Sequence, residues 1–167
     1  MPRGLNIRPA TVADAPAIIA GINAVCAEEA YLQTDRFVSN PQWDAALYRP
    51  ETVPDHLILV ADLHGKVVGS VNVFPGPCGP KDRHTADLGI HVLFEYRNQG
   101  IGTRLLETAL TWARARSIEK ITLSVFSTNA CAIHLYEKLG FQREGTRRKQ
   151  FRVRGEYVDD ILMAKFL

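Results

Sequence analysis

The residues whose types and spacing most clearly suggest a chemical function lie between Ile90 and Thr103. An apolar strand pattern gives way to a short polar turn, and the helix that follows carries Gly100 and Gly102 in its first turn. The first backbone N–H groups of a helix have no partner inside the helix, and the helix dipole adds positive potential there. Glycines let a bulky anion approach that backbone. The spacing therefore favours a cradle for phosphate or pyrophosphate, to which Arg97 can add charge.

This cradle differs from two common phosphate-binding motifs. No Gly-Lys-Ser/Thr sequence follows, which excludes a Walker A loop, and Leu105 stands where the dinucleotide-binding fingerprint needs a third glycine. Two glycines at a helix start are also what close packing of a helix on a sheet requires. The segment alone leaves both interpretations open.

A second candidate segment runs from Leu123 to Phe141. A strand pattern leads to Asn129, and a helix carrying Tyr136 ends at Gly140. Asn129 suits a helix N-cap and could also bind a ligand at the helix start. Tyr136 lies on the apolar face of its helix, so it is either a core residue or a proton donor in a cleft.

Hydrophobic periodicity predicts an α/β fold in which these segments belong to one domain, residues 1–167. The first half reads as largely antiparallel, and a strand–helix–strand crossover follows in the middle. Residues 28–32 either finish the first helix or begin a loop. The predicted strands are Leu5–Pro9, Leu57–Ala61, Lys66–Phe74, Thr85–Leu93, Lys120–Phe126, Phe141–Val153 and Glu156–Phe166; the predicted helices follow Thr11, lie between Pro41 and Pro50, and span Gly100–Arg116 and Asn129–Leu139.

Composition excludes several classes of protein. Hydrophobic residues make up 46% and charged residues 23% of the chain, as in an ordinary globular protein. The net charge of +2 does not mark a nucleic-acid binder, although most basic residues lie from Arg97 onward. The longest stretch without Asp, Glu, Lys or Arg, Ile121–Tyr136, is too short and polar to span a membrane.

The cysteines and the N-terminus favour a cytoplasmic location. Cys26, Cys78 and Cys131 are widely spaced and form no CxxC pair, so no metal site is expected. We expect Cys26 and Cys131 to be small core residues in a reducing compartment. The first residues also lack the apolar run of a signal peptide.

Both candidate segments resemble the GNAT superfamily of acyl-CoA-dependent N-acetyltransferases. Arg97-x-x-Gly100-x-Gly102 is similar to its pyrophosphate motif, and Leu123–Phe141 is similar to its second signature. Residues 7–10 and 155–159 extend the resemblance over essentially the whole chain. It implies a single-domain GNAT fold, with a mixed central sheet of about seven strands flanked by about four helices.

The resemblance also implies roles for particular residues. Asn129 would hydrogen-bond the CoA moiety, and Tyr136 would donate a proton to the departing CoA thiolate. A tyrosine, with a reference pKa of about 10, stays protonated at neutral pH. Backbone groups would hold the rest of acetyl-CoA. Its pantetheine and acetyl carbonyl would be held by the backbone of Ile90, His91 and Val92. Its pyrophosphate would be bound next to Arg97 by the amides of Asn98, Gln99, Gly100, Ile101, Gly102 and Thr103.

The general base departs from the superfamily pattern. Ser124 stands where many members carry a Glu, and a serine cannot accept a proton from an amine at neutral pH. Asp87, His91, Glu28 and Glu29 are the candidates, although His91 is also explained as an ordinary strand residue. An α-amine, with a pKa near 8, needs less help to deprotonate than a lysine side chain near 10.4. The gap therefore favours an α-amine acceptor, or proton loss relayed by water, over a lysine side chain.

The resemblance implies that the loop after the first helix and the last strand pair line the acceptor pocket. Acidic residues there would attract an ammonium group, and an arginine would hold a carboxylate. A solvated face is the alternative for each residue. The candidate contacts are Glu28, Glu29, Tyr31, Phe37 and Tyr157.

The resemblance implies an enzyme that moves an acetyl group from acetyl-CoA to a primary amine by direct attack in a ternary complex. The C-terminal block 143–152 resembles members that act on amino acids and related small amines. The alternatives are a protein N-terminal acetyltransferase of the ribosomal-protein type and a non-catalytic acyl-CoA sensor. Members often form homodimers; neither a metal, a nucleic acid nor a membrane is expected as a partner.

Overall fold

The computed structural model describes residues 2–76 and 79–167, so Cys78 lies outside the described residues. Within these residues, four α-helices and seven strands follow one another in the predicted order. In chain order they are β1 (Leu5–Pro9), α1 (Ala15–Cys26), α2 (Pro41–Tyr48), β2 (Leu57–Leu63), β3 (Lys66–Pro75), β4 (Thr85–Val92), α3 (Ile101–Ala115), β5 (Lys120–Phe126), α4 (Ala130–Lys138), β6 (Gln142–Val153) and β7 (Glu156–Phe166).

The strands form one mixed sheet in the order β1-β2-β3-β4-β5-β7-β6. Strands β1 to β4 pair antiparallel, as do β5 with β7 and β7 with β6. β4 and β5 pair in parallel, because α3 connects them and returns the chain to the end of the sheet at which β4 begins. The α/β class, the strand and helix numbers and the central crossover are confirmed.

Side chains on the two faces of the sheet form two apolar layers. The larger layer packs α3 and α4 on the sheet and includes Leu105, Ala109 and Ile133. The smaller layer packs α1 and α2 on the opposite face around Ile18 and Phe74. Alternate residues of each central strand therefore point to different helices, and this decides which polar side chains can meet.

The structure changes a few details of the prediction. Residues 27–29 form a turn and residue 30 a bend, so of the two alternatives for this segment the loop is the correct one. Cys26 is buried as expected, but Cys131 is exposed, so its assignment to the core was wrong. The inward face of α4 is set by Ile133 and Tyr136, and Cys131 lies two residues before Ile133, on the opposite side of the helix. Among the described residues, no helix is long and apolar enough to cross a membrane.

An ion-pair network joins β1 to the start of α1. The Arg8 guanidinium contacts Asp14 at 2.8 and 2.9 Å and Asp62 on β2 at 3.0 Å. Asp14 also accepts hydrogen bonds from the backbone and hydroxyl of Thr11. The hydrogen bond from Arg8 outweighs burial and holds the pKa of Asp14 well below its usual range.

We expect Asp14→Asn to lower the free energy of unfolding by about 2 kcal/mol at pH 7, because a partly buried charged hydrogen bond is lost. Asp14 has a lower pKa in the folded than in the unfolded chain. Its contribution is therefore present above the unfolded pKa of about 3.9 and fades as pH falls below it. Urea unfolding at pH 7 and in acid should show the wild type–variant gap closing. An equal gap at both pH values would contradict this account. Asp55→Asn, at an exposed ion pair, is the control and should change little.

Candidate active site

A cleft opens between β4 and β5 where their pairing stops. The ladder contains three residue pairs and ends at Asp87 with Thr122. The Leu93 N–H bonds to β3, so alternation along β4 directs the backbone groups of Ile90 and Val92 toward β5. Beyond Thr122 these amides have no ladder partner among the described residues. The predicted splayed strand edge is present; the His91 backbone, in contrast, faces β3.

The chain leaves β4 through a short 3-10 turn, residues 94–96, and enters α3 at the predicted cradle. Asn98 has a φ of 59°, and Gly100, the N-cap of α3, has a φ of 81°. The first backbone bond of the helix runs from Arg104 N–H to the Gly100 carbonyl. The amides of residues 101–103 therefore precede the intrahelical ladder and are free to bind an anion.

The two glycines of the cradle have different structural reasons. A Cβ at Gly100 would meet no atom within 4 Å, so its left-handed backbone alone favours glycine. A Cβ at Gly102 would lie 3.2 Å from Leu135 Cδ2 on α4. Close helix packing therefore accounts for Gly102, while Gly100 shapes the turn and leaves space open above it.

Arg97 does not point its charge into the cradle. Its Nε donates to the Val92 carbonyl at 2.9 Å, and its Nη atoms donate to both Glu28 carboxylate oxygens at 2.7 and 2.5 Å. Tyr31 and Phe94 flank the guanidinium, with ring centroids 4.9 and 5.7 Å from Cζ. We expected Arg97 to add its charge to the anion site; in the structure, Arg97 instead links the cleft to the loop after α1.

Asn129 and Tyr136 lie seven residues apart, two turns along one side of α4. The Asn129 Oδ1 accepts from the Ala132 N–H at 3.2 Å, so Asn129 is an N-cap, and its amide NH₂ is left for a ligand. Tyr136 is 7% exposed and packs near Phe141, with ring centroids 5.7 Å apart. Burial raises the pKa of Tyr136 above its usual value. The hydroxyl therefore stays protonated at neutral pH, and it has no hydrogen-bond partner among the described residues.

The Acetyltransferase (GNAT) family profile matches residues 23–141. The chain belongs to this family. The matched segment contains the β4–β5 cleft, the start of α3 and the whole of α4, so the two predicted motifs and the matching region coincide.

Characterised relatives are N-acetyltransferases with different acceptors. The chain is 38% identical over 111 residues to the L-amino acid N-acetyltransferase AaaT of Escherichia coli. That match spans 64% of this chain and 66% of the relative, just under two thirds of its length. The chain is 33% identical to the N-alpha-acetyltransferase RimI of Mycobacterium tuberculosis over 78% of both sequences. It is 29% identical to an L-methionine sulfoximine/L-methionine sulfone acetyltransferase of Pseudomonas aeruginosa, over 92% of this chain and 90% of the relative.

Solved GNAT structures share the fold over nearly the whole chain. A GNAT-family acetyltransferase from Streptococcus pneumoniae superposes with a TM-score of 0.86 at 32% identity, covering 98% of this chain and 99% of the other. The acetyltransferase yncA of Salmonella typhimurium, solved with its cofactor acetyl-CoA, has a TM-score of 0.87 at 24% identity and covers 99% and 95%. The single-sheet GNAT architecture is therefore confirmed.

His91 is poorly suited to act as the general base in this GNAT chain. Its ring is 7% exposed, Nδ1 lies 3.2 Å from Ser70 Oγ, and a Cβ at Gly21 on α1 would lie 2.5 Å from Nε2. Burial, helped by the charge of Arg97, lowers the pKa of His91 to about 4. The imidazole is neutral at pH 7 and is held between β3 and α1.

His91→Gln is accordingly expected to leave the pH dependence of kcat/KM for acetyl transfer unchanged between about pH 6 and 8. The side chain does not titrate in that range, because its pKa is about 4. A pH–rate profile of wild type and variant tests this. Loss of a titration that the wild type shows in this range would reinstate His91 as the base.

Asp87, the other candidate base, lies at the closed end of the cleft. It is the last residue of β4 that pairs with β5, and Thr122 Oγ1 donates to its Oδ1 at 3.3 Å. The side chain is open to solvent on one side, while its other neighbours desolvate the carboxyl and raise its pKa. Asp87 is thus placed below the splayed segment rather than beside it.

The predicted acceptor residues form two groups. Glu28 and Tyr31 lie together beside Arg97, whereas Glu29 is an exposed partner of Arg154 at 3.8 Å. Tyr157, at 58% exposure, lies beside Lys149 and Arg152 of β6. Arg154 also donates to the Glu28 carbonyl at 2.8 Å, so the loop after α1 is tied to β4 and to the hairpin.

Phe37 does not join the other predicted acceptor residues. Its ring packs edge-on against Trp43, with centroids 5.3 Å apart, and its backbone donates to Asn23. These contacts place Phe37 in the layer beneath α1 and α2.

The sequence analysis missed Asp160 and Gln33. Asp160 on β7 is 0% exposed, and Gln33 lies in the loop after α1 with its Nε2 3.5 Å from Asp160 Oδ1. Strand alternation contained a signal, because one of the adjacent Asp159 and Asp160 must point inward. The contact with Gln33 spans 127 residues and had no local signal. Among the described residues, no group of His, Cys, Asp and Glu side chains is placed to hold a metal ion.

Proposed function

We propose that this protein transfers the acetyl group of acetyl-CoA to the α-amine of an amino acid or a related small amine, by direct attack in a ternary complex. The observation that carries the proposal is the continuous path from the splayed end of β4 to the free amides at the start of α3. An extended, phosphate-bearing thioester fits such a path, with its anionic end at the helix start.

Each part of the path has a defined task in this proposal. The amides of residues 101–103 bind the pyrophosphate. The Val92 or Ile90 amide, aimed into the cleft, stabilises the oxyanion that forms when the amine attacks the thioester carbonyl. Tyr136, protonated because burial raises its pKa, donates its proton to the leaving sulfur. In this proposal, backbone amides bind the pyrophosphate and the oxyanion, and the Tyr136 side chain protonates the leaving group.

Two arguments support an α-amine acceptor: the substrates for which the relatives are named, and the polar residues on the acceptor side of the cleft. AaaT and the P. aeruginosa relative are named for amino-acid substrates. Ser124 and Glu28 supply no free carboxylate to the acceptor side, because Ser124 is uncharged and Glu28 is paired with Arg97. Whichever group accepts the proton, an α-amine with a pKa near 8 loses it more readily than a lysine side chain near 10.4.

A protein N-terminus is the second candidate acceptor. The similarity to RimI over 78% of both sequences favours it, and a protein N-terminus also presents an α-amine. The loop after α1 is held by Arg97 and Arg154, and its position determines how large an acceptor can enter.

Thiol release from acetyl-CoA, measured with a panel of acceptors, tests the proposal. Free L-amino acids, their methyl esters, polyamines, aminoglycosides and short peptides with free N-termini form the panel. The proposal predicts the highest kcat/KM for free amino acids. Activity with peptides alone would assign the chain to N-terminal acetylation, and activity with polyamines alone would overturn the α-amine acceptor.

A further inference from the structure

Asp160 on β7 is a fully buried carboxylate to which the mechanism proposed above gives no task. On β7, Ile161 and Met163 point into the main apolar layer, so Asp160 and Leu162 face the opposite, acceptor side of the sheet. Its carboxylate lies 3.4 Å from Arg147 Nη1 and 3.5 Å from Gln33 Nε2, both beyond the usual hydrogen-bond length. Burying a carboxylate costs several kcal/mol unless it is well compensated. Asp160 therefore retains capacity for a stronger donor.

The position of Asp160 matches the open part of the cleft. It lies opposite Phe126, the last residue of β5, well beyond Thr122, where β5 leaves β4. Ser124 on β5 points to the same face, because its partner on β7 is Leu162. Asp160 and Ser124 are thus diagonal neighbours along the splayed segment.

Gln33 marks a place for a nitrogen donor between these two side chains. Its Nε2 lies 2.5 Å from Ser124 Oγ and 3.5 Å from Asp160 Oδ1. Because both oxygens contact the same nitrogen, they are no more than about 6 Å apart. An ammonium group that displaces the Gln33 amide would donate to the same two oxygens and would neutralise the buried carboxylate.

The other acidic groups are less well placed. Asp87 lies at the closed end of the cleft, Glu28 is held bidentately by Arg97, and Glu29 is exposed. Among the described residues, Arg147 on β6 is the charged residue that pairs with Asp160, and it is half exposed. Asp160 is fully buried beside the Gln33 amide, so it is the acceptor-side carboxylate that an amine displacing that amide would reach.

We propose that Asp160 binds the ammonium group of the acceptor and accepts its proton, with Ser124 as a second hydrogen-bond acceptor and Arg147 positioning the carboxylate. This inference rests on the proposed function. The R–NH₃⁺ group transfers one proton to the Asp160 carboxylate, and the free lone pair forms the N–C bond. The C–S bond breaks, and the sulfur takes the proton of Tyr136. The nitrogen loses its second proton, which restores Tyr136, and Asp160 returns its proton to solvent.

Asp160→Asn tests the proposal with an acceptor that the wild type acetylates. We expect kcat/KM at pH 7 to fall about 10²- to 10³-fold, the usual contribution of a positioned base. The deficit should shrink as pH rises, because a growing fraction of the amine enters already neutral. Acetyl-CoA affinity should be unchanged, which shows that the variant is folded. Asp159→Asn, on the opposite face of β7, is the matched control and should keep wild-type kinetics.

A relocated carboxylate provides the second test. Adding Ser124→Glu to Asp160→Asn places a carboxylate on the neighbouring strand of the same face, and we expect it to recover at least tenfold of the lost kcat/KM. A deficit in Asp160→Asn that is independent of pH and is not recovered by Ser124→Glu would show a structural role only and overturn the proposal. A wild type without activity on any amine would instead overturn the proposed function.

Discussion

Tyr136→Phe is expected to lower kcat for acetyl transfer by about 10²- to 10⁴-fold, the range for loss of a general acid. Burial raises the pKa of Tyr136, so the hydroxyl is protonated over the whole physiological range. Without that proton, the CoA sulfur leaves as an unassisted thiolate. The loss should therefore fall on kcat, with KM for acetyl-CoA little changed.

Tyr136→Phe should also leave the fold intact. The aromatic ring is buried beside Phe141, and the hydroxyl has no hydrogen-bond partner among the described residues that would be left unpaired. Thermal unfolding should therefore give a Tm near that of the wild type. Tyr48→Phe, at an exposed tyrosine on α2, is the matched control for loss of a hydroxyl. A wild-type rate in Tyr136→Phe would make Tyr136 a core residue and remove it from the mechanism.

Gly100→Ala should weaken acetyl-CoA binding about 10- to 100-fold, which corresponds to about 1.4–3 kcal/mol. At a φ of 81°, alanine favours a different backbone, and a change there turns the first amides of α3 away from the ligand. The added methyl group also projects into the open space above the turn. Titration calorimetry with CoA measures the effect directly.

The control for Gly100→Ala is Gly65→Ala in the β2–β3 turn. Gly65 has a φ of 83°, and a Cβ there also meets no atom within 4 Å. The two substitutions carry the same backbone strain, about 1–2 kcal/mol, and should lower Tm comparably. Gly100→Ala alone should affect CoA affinity. Equal CoA affinities in the two variants would place the pyrophosphate elsewhere.

Most of the fold could be predicted from local sequence patterns. The apolar face of α3, with Leu105 and Ala109, and the Gly140 stop after α4 are short-range features, and the structure places them within a residue or two of the prediction. The cradle at Gly100 is also local, because a backbone turn and a helix start lie within six residues. These features depend on neighbouring positions in the chain.

The acceptor side could not be predicted in the same way, because its contacts join distant segments. Arg97 meets Glu28 across 69 residues, and Gln33 meets Ser124 across 91. Each pairing depends on how the loop after α1 crosses the sheet. The phosphate-motif spacing therefore suggested a free Arg97 charge, whereas the tertiary structure directs that charge to Glu28. For the same reason Asp160 acquires a neighbour on β5 only in the folded sheet.

The most direct test of direct transfer from acetyl-CoA to a bound amine is thiol release followed with and without acceptor, with the acetylated product quantified by mass spectrometry. We predict negligible thiol release without amine, and one N-acetyl product for each thiol released when an amino acid is present. A burst of thiol without amine would indicate an acetylated enzyme and contradict direct attack. CoA binding without amine-dependent release for any acceptor would contradict catalysis itself and favour a sensor.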